Sequence, residues 1–130
     1  MHSPLSRAAD TAAIVADLRW PLRADAGLLE AHLGELQGQP EGDPSKPSIR
    51  EWVSGTEILG AESYEALKLR VARAVAAILS ECERPLLVAH AGVYHALRDV
   101  MGAPVGRVHH CVPYAHEPDG AMWRIREIEP

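Results

Sequence analysis

The 130-residue sequence contains no phenylalanine, and tryptophan and tyrosine contribute only three residues each. A hydrophobic core must therefore be built mainly from leucine, valine, isoleucine and alanine. No apolar run approaches the roughly 20 residues that a membrane-spanning helix needs, and no secretory signal precedes the first helical pattern. We therefore expect a cytoplasmic protein with no membrane partner.

Cysteine and net positive charge are also scarce. Cys82 and Cys111 lie far apart and in no CxxC spacing, so we expect free thiols in a reducing compartment. The formal net charge of −5 argues against a nucleic-acid partner, because such a partner binds a basic surface. A small phosphorylated substrate is compatible with this charge, since only its pocket has to be positive. The length suits a single domain over residues 1–130.

The spacing of apolar residues predicts helices over residues 4–18 and 63–82. A short helix could form over 49–53, and a further helix is predicted over 93–101, after the turn at Ala91 and Gly92. Ser3 and Pro4 are residue types typical of an N-cap and a first helical position. The helix over 63–82 has the strongest pattern, with Arg70 and Arg73 on its polar face. The clearest loop is the glycine- and proline-rich stretch 38–48. Gly102 and Pro104 are expected to end the last helix.

A short apolar run, Leu86–Ala89, is bounded by Pro85 and by the turn that follows His90. This pattern predicts a buried parallel strand. A second strand is predicted over residues 121–128. Helices alternating with a buried strand indicate an α/β domain.

Two side chains stand where an anion could bind. His90 follows the predicted strand, at the end where open α/β sheets bind ligands, and the next helix N-terminus favours phosphate. Arg7 lies within the first two turns of the first helix, where a guanidinium can clamp an anion through two hydrogen bonds. Each feature alone also has an ordinary structural explanation, as a satisfied polar group or a solvated surface arginine.

Four segments carry more specific information when they are read together. Residues 3–12 read Ser-Pro-Leu-Ser-Arg-Ala-Ala-Asp-Thr-Ala, and residues 29–38 read Leu-Glu-Ala-His-Leu-Gly-Glu-Leu-Gln-Gly. Glu62-Ser63-Tyr64 opens the long helix that contains Arg70-Val71, and residues 88–93 read Val-Ala-His-Ala-Gly-Val. In this order the segments resemble the motifs of the histidine phosphatase (phosphoglycerate mutase-like) superfamily. The resemblance implies a three-layer α/β sandwich with a mainly parallel sheet.

The resemblance also implies roles for single residues. Arg7 would hold the phosphoryl oxygens, His90 would stabilise the developing charge, and Glu30 would be the general acid and later the base. Glu35 lies close enough in sequence to be an alternative acid. Ala91 stands where the family usually has glycine, and its backbone would lie near the phosphate. Neither a metal nor another cofactor is implied.

One element of the family pattern is not found in the sequence. The family's nucleophile is the histidine of an Arg-His-Gly motif at the end of the first, central strand, and no such motif occurs among the 130 residues. His2 is interpreted as a bystander. We therefore expect either an incomplete phosphomonoesterase lacking the central strand or a pseudoenzyme that binds phosphorylated ligands without turnover. Exposed sheet edges would then favour a homo-oligomer.

Two further alternatives concern the type of reaction and a metal. Hydrolysis is favoured over a mutase reaction, because only the modest excursion over residues 38–60 could close the pocket. A loose group of His109, His110, Cys111 and His116 leaves open a metal-binding or interaction domain, although its spacing matches no compact tetrahedral pattern.

Overall fold

The structure is a computed structural model that describes residues 1–39, 45–103 and 108–128. In chain order its elements are α1 (Ser6–Ala16), α2 (Ile49–Val53), α3 (Tyr64–Glu81), α4 (Ala91–Val100), β1 (Tyr114–Asp119) and β2 (Met122–Glu127). The predicted loop over 38–48 lies partly, and Pro104 wholly, outside the described residues. Within those residues no helix has the length and apolarity to cross a membrane. Cys82 and Cys111 are both free, as predicted, and both are exposed.

Helix α3 is the centre of the hydrophobic core, in agreement with the predicted helix over 63–82. Ser63 caps it by accepting a hydrogen bond from the backbone N–H of Ala66 at 3.1 Å. One face is buried over its whole length and packs against α4, Leu28 and Trp52. The buried residues of that face are Tyr64, Leu67, Val71, Ala74, Val75 and Ile78. Burial of this apolar stripe, and not helix propensity alone, stabilises the helix.

Helix α1 begins later than its sequence suggests. Its N-cap is Leu5, with no side-chain cap, so the assignment of Ser3 as N-cap was wrong. Ser3 is instead fully buried, and its hydroxyl lies within hydrogen-bond distance of the His90 ring. The helix ends at Ala16, since Asp17 and Leu18 adopt left-handed φ angles of 44° and 58°.

The N-terminal residues form a small parallel pairing. His2 bridges Ala24 on one side and Val88 on the other, both in parallel orientation. The parallel direction predicted for residues 86–89 is therefore confirmed, but their burial was predicted wrongly. Leu86 is 47% exposed, because its segment is an outer member of the pairing. Parallel pairing among the described residues is limited to these bridges, so the mainly parallel sheet stays a prediction.

The C-terminal part is an antiparallel hairpin of β1 and β2, paired from Tyr114 opposite Glu127 to Asp119 opposite Met122. Strand β2 confirms the strand predicted over 121–128, whereas β1 was not predicted. The hairpin packs on α4 through the Tyr94 ring, whose centroid lies 5.0 Å from that of Tyr114 and 5.8 Å from that of His116. Helix α4 thus connects the core to the hairpin.

Candidate active site

His90 lies at the junction between the extended segment 86–89 and helix α4. It is the N-cap residue of α4, but its side chain makes no capping hydrogen bond. Its Nε2 lies 2.8 Å from the hydroxyl oxygen of Ser3. The first backbone N–H groups of α4 have no partner within the helix, and together with the helix dipole they form a site suited to an anion.

Ser3 connects the imidazole to the beginning of α1. Its side chain is fully buried, and its hydroxyl oxygen also accepts a hydrogen bond from the backbone N–H of Leu5 at 3.4 Å. The residue that was expected to cap α1 therefore orients His90. Because a hydroxyl can donate as well as accept, this pair is compatible with either imidazole tautomer.

Glu30 follows a single 3-10 turn, Ala26–Leu28. Its Oε1 accepts a hydrogen bond from the backbone N–H of Ala31 at 2.9 Å. The carboxylate lies against the first turn of α4, so close that a Cβ on Gly92 would overlap with Oε1. The glycine thus makes room for an acidic side chain beside His90.

Arg7 is the second residue of α1, and its side chain is exposed. Both Arg7 and Glu30 are close enough to His90 to act on its protonation. Burial lowers the pKa of His90 below its usual value, the Glu30 carboxylate opposes this by raising the pKa, and the Arg7 cation lowers it further. The structure therefore places the charges of Arg7 and Glu30 close to the imidazole of His90.

The alternative acid, Glu35, has a different environment. Its carboxylate pairs with the ammonium group of Lys46 at 3.8 Å. The preceding residue, Gly34, has a φ of +53°, and a Cβ there would overlap with the backbone of residues 59–61. The positive φ and the close approach explain why glycine is needed at this position. The geometry favours Glu30 over Glu35 as the acid.

Ala91 and the histidine-rich segment complete the predicted set. Ala91 is the first residue of α4, so its backbone N–H is one of those without a helical partner. The described residues hold no cluster of three or more histidine, cysteine, aspartate or glutamate side chains that could bind a metal ion.

Comparison with known proteins decides the family. A family model, the histidine phosphatase superfamily (branch 1), matches residues 1–117. The chain belongs to the histidine phosphatase superfamily. A solved structure, Bacillus stearothermophilus YhfR, is similar with a TM-score of 0.77 and 23% sequence identity, over 97% of this chain and 70% of that chain. At this identity the likeness shows the fold alone, and it confirms the predicted α/β class. No curated protein matches the chain.

The contacts of Arg70 in this superfamily member were not predicted from the sequence. Arg70 was placed on the polar face of its helix, yet its side chain is only 27% exposed and hydrogen-bonds to the backbone near Glu30. A signal was present, because Arg70 lies three residues after Leu67 and four before Ala74, both of which are buried. A charged side chain at helical spacing from buried residues needs hydrogen-bond or ion-pair partners.

Proposed function

We propose that this chain binds a small phosphate monoester and provides the acid–base and phosphate-binding residues for its hydrolysis. One observation supports the proposal most directly. Arg7, Glu30 and His90 come from distant parts of the chain, and both charged side chains act on the imidazole at the start of α4. The finer architecture expected for the family, three layers around a mainly parallel sheet, is part of this proposal.

In this proposal the phosphoryl group lies at the N-terminus of α4, close to Arg7 and His90. Arg7 binds two phosphoryl oxygens, and the backbone N–H groups that begin at Ala91 bind the anion. The lowered pKa of His90 favours a neutral imidazole in the free protein. A bound phosphate places negative charge beside the ring and favours its protonated form. Phosphate binding is therefore expected to be accompanied by proton uptake at His90.

Glu30 is assigned the proton transfers. Its carboxylate lies against Gly92, close enough to His90 to act on the pKa of the imidazole. It would protonate the leaving-group oxygen and then take a proton from the attacking water. Positioned charge and proton transfer are most of what phosphoryl transfer needs from a protein.

The covalent step is not assigned to any residue here. In the superfamily the phosphoryl group passes through a phosphohistidine on an Arg-His-Gly motif, which the 130 residues do not contain. Binding of a phosphorylated ligand without turnover is therefore the second candidate function. The two functions share Arg7 and His90 and differ in whether product forms.

Phosphate binding tests both functions at once. We expect inorganic phosphate to bind the purified chain in isothermal titration calorimetry, and Arg7→Gln to weaken it roughly tenfold to a hundredfold, the effect of losing a charge-assisted hydrogen bond. Arg19→Gln is the matched control, because Arg19 follows the same helix and its side chain is 76% exposed. Failure of phosphate to bind, or equal losses in both variants, would contradict the proposal.

Turnover separates the two functions. We expect the 130-residue chain to be inactive on p-nitrophenyl phosphate, since no nucleophile is assigned within it. Metal-free turnover that His90→Ala abolishes would contradict this expectation and establish the enzyme directly. Phosphate binding without turnover by a folded monomer would support the second candidate function.

A further inference from the structure

The segment that carries Glu30 is attached to helix α3 by one side chain. Nη1 of Arg70 donates hydrogen bonds to the backbone oxygen of Gly27 at 3.0 Å and to that of Leu29 at 2.9 Å. Leu29 immediately precedes Glu30 in the chain. The guanidinium therefore holds the backbone directly on the N-terminal side of the acid.

The other side of the same segment is held through Glu62. Arg70 donates from Nη2 to Oε1 of Glu62 at 2.6 Å and from Nε to its Oε2 at 3.3 Å. Oε1 of Glu62 also accepts a hydrogen bond from the backbone N–H of His32 at 2.9 Å, and the Glu62 N–H donates to the His32 oxygen at 2.9 Å. Arg70 of α3 and Glu62, which precedes this helix, thus hold the backbone on both sides of Glu30.

Both side chains of this pair are shielded from solvent. The Arg70 side chain is 27% exposed and that of Glu62 is 20% exposed. A planar fork of donors directed at four acceptors is a geometry that only arginine provides, and in a partly buried setting it is stronger than a surface ion pair. The segment that ends in Glu30 is consequently tied to a rigid helix.

We propose that Arg70 is a positioning residue, whose guanidinium, together with Glu62, places the Glu30 carboxylate against Gly92 beside His90. The proposal rests on the proposed function only for the importance of Glu30, since the placement itself is a property of the free protein. Arg70 does not reach the phosphoryl group and acts through the backbone of residues 27–32. Catalytic proton transfer by Glu30 would then depend on a residue 40 positions further along the chain.

The titration of His90 in the free protein tests this placement without any substrate. The ring signals of His90, followed by NMR against pH, report the Glu30 carboxylate because that carboxylate raises the pKa of His90. We expect Arg70→Gln to lower this pKa by most of the amount by which Glu30→Gln lowers it. Loss of the Arg70 positive charge alone would raise the pKa of His90, whereas displacement of the Glu30 carboxylate would lower it. The direction of the pKa change therefore distinguishes the two effects.

Three variants make the test decisive. Arg70→Lys keeps the charge but loses the fork, and we expect it to lower the pKa of His90 as well. Arg73→Gln, exposed on the same helix, is the matched control and should leave the pKa unchanged. In a Glu30→Gln background, Arg70→Gln should cause no further decrease.

Two outcomes of the titration would overturn the proposal. The first is an unchanged or raised pKa of His90 in both folded Arg70 variants. The second is a decrease in this pKa that has the same size with and without the Glu30 carboxylate. Circular dichroism confirms which variants are folded, and Arg70→Lys keeps the test available if Arg70→Gln unfolds. Failure of phosphate to bind would remove the proposed function while leaving this coupling intact.

Discussion

At the scale of single residues, the orientation and the protonation of the His90 ring depend on different neighbours. Ser3 provides a hydrogen bond to Nε2, whereas Glu30 and Arg7 provide opposing charges. The hydroxyl fixes the orientation of the ring, and the charges set its protonation. In the proposed function, a phosphate bound near Arg7 and His90 would change the protonation of the ring.

Replacement of Ser3 by alanine tests the orienting hydrogen bond. Ser3 is fully buried, so Ser3→Ala leaves Nε2 of His90 and the Leu5 N–H without this partner. We expect the free energy of unfolding to fall by about 1–3 kcal/mol, measured by urea denaturation. Ser80→Ala, at an exposed position of α3, should change it by less than about 0.5 kcal/mol. Equal effects of the two substitutions would show that the Ser3 hydroxyl contributes nothing specific.

Residues within a family motif were predictable, whereas the buried contact of Ser3 was not. Arg7 and His90 stand beside predicted helix N-termini, and Glu30 was proposed from the family resemblance. Ser3 was assigned wrongly because N-cap preference is a local rule, whereas its actual partner lies 87 residues away. A pattern of neighbouring residues cannot indicate a contact between residues so far apart in the sequence.

At the scale of elements, helix α3 supports the Glu30 segment by packing as well as by hydrogen bonds. A Cβ on Gly27 would overlap with the Cβ of Ala74, one turn after Arg70 on α3. The neighbouring Leu28 is fully buried. Close approach of the segment to the helix therefore needs small residues on both sides.

A pair of substitutions tests this packing. Gly27→Ala should destabilise the protein by about 1–3 kcal/mol through overpacking, measured by thermal or urea unfolding. Adding Ala74→Gly should restore part of the loss by removing the opposing Cβ, although glycine within a helix costs about 1 kcal/mol. A double variant less stable than the sum of the two single variants predicts would contradict the contact.

The hairpin and α4 form a second interface with a titratable group inside it. Burial lowers the pKa of His116, the backbone hydrogen bond at Tyr114 opposes this, and the Arg98 cation lowers it further. Nε2 of His116 is buried with no hydrogen-bond partner in the part of the chain that the structure describes. The folded hairpin therefore favours the neutral ring.

This arrangement predicts a loss of stability in acid. Because the pKa of His116 is lower in the folded than in the unfolded chain, its contribution is present above the ordinary value of 6.5 and is lost as the pH falls towards the folded pKa. We expect the free energy of unfolding to decrease between about pH 7 and about pH 5. His116→Gln should reduce this decrease, whereas His110→Gln, at an exposed position, should not. The lowered pKa of His90 acts in the same direction and leaves a residual dependence.

Helices were more predictable than strands for a physical reason. Helix α2 has the bounds that were predicted for it, Ile49–Val53, and its capping box of Ser48 and Glu51 involves only neighbouring residues. Strand β1 contains His116, Glu117 and Pro118, and it is stabilised by pairing with β2 and packing on α4. The residue types of β1 alone therefore give little indication that it forms a strand.

At the scale of the whole molecule, the parallel pairing around His2 has two outer members. Residues 23–25 and 86–88 each pair with residues 1–3 on one side, and no further parallel bridge joins them within the described ranges. The outer strand at Leu86 is also apolar and 47% exposed. Backbone groups beside an exposed apolar side chain are a template for pairing with another chain.

We therefore expect the 130-residue chain to self-associate. Sedimentation velocity should give a mass that rises above the monomer value of 14.1 kDa as the protein concentration increases. Leu86→Lys places a charge on the outer strand and should shift the distribution towards monomer, because edge lysines oppose strand pairing. Leu59→Lys is the matched control, since Leu59 is 80% exposed and lies outside this pairing. A monomer at all concentrations, or an equal shift in both variants, would show that this edge does not drive association.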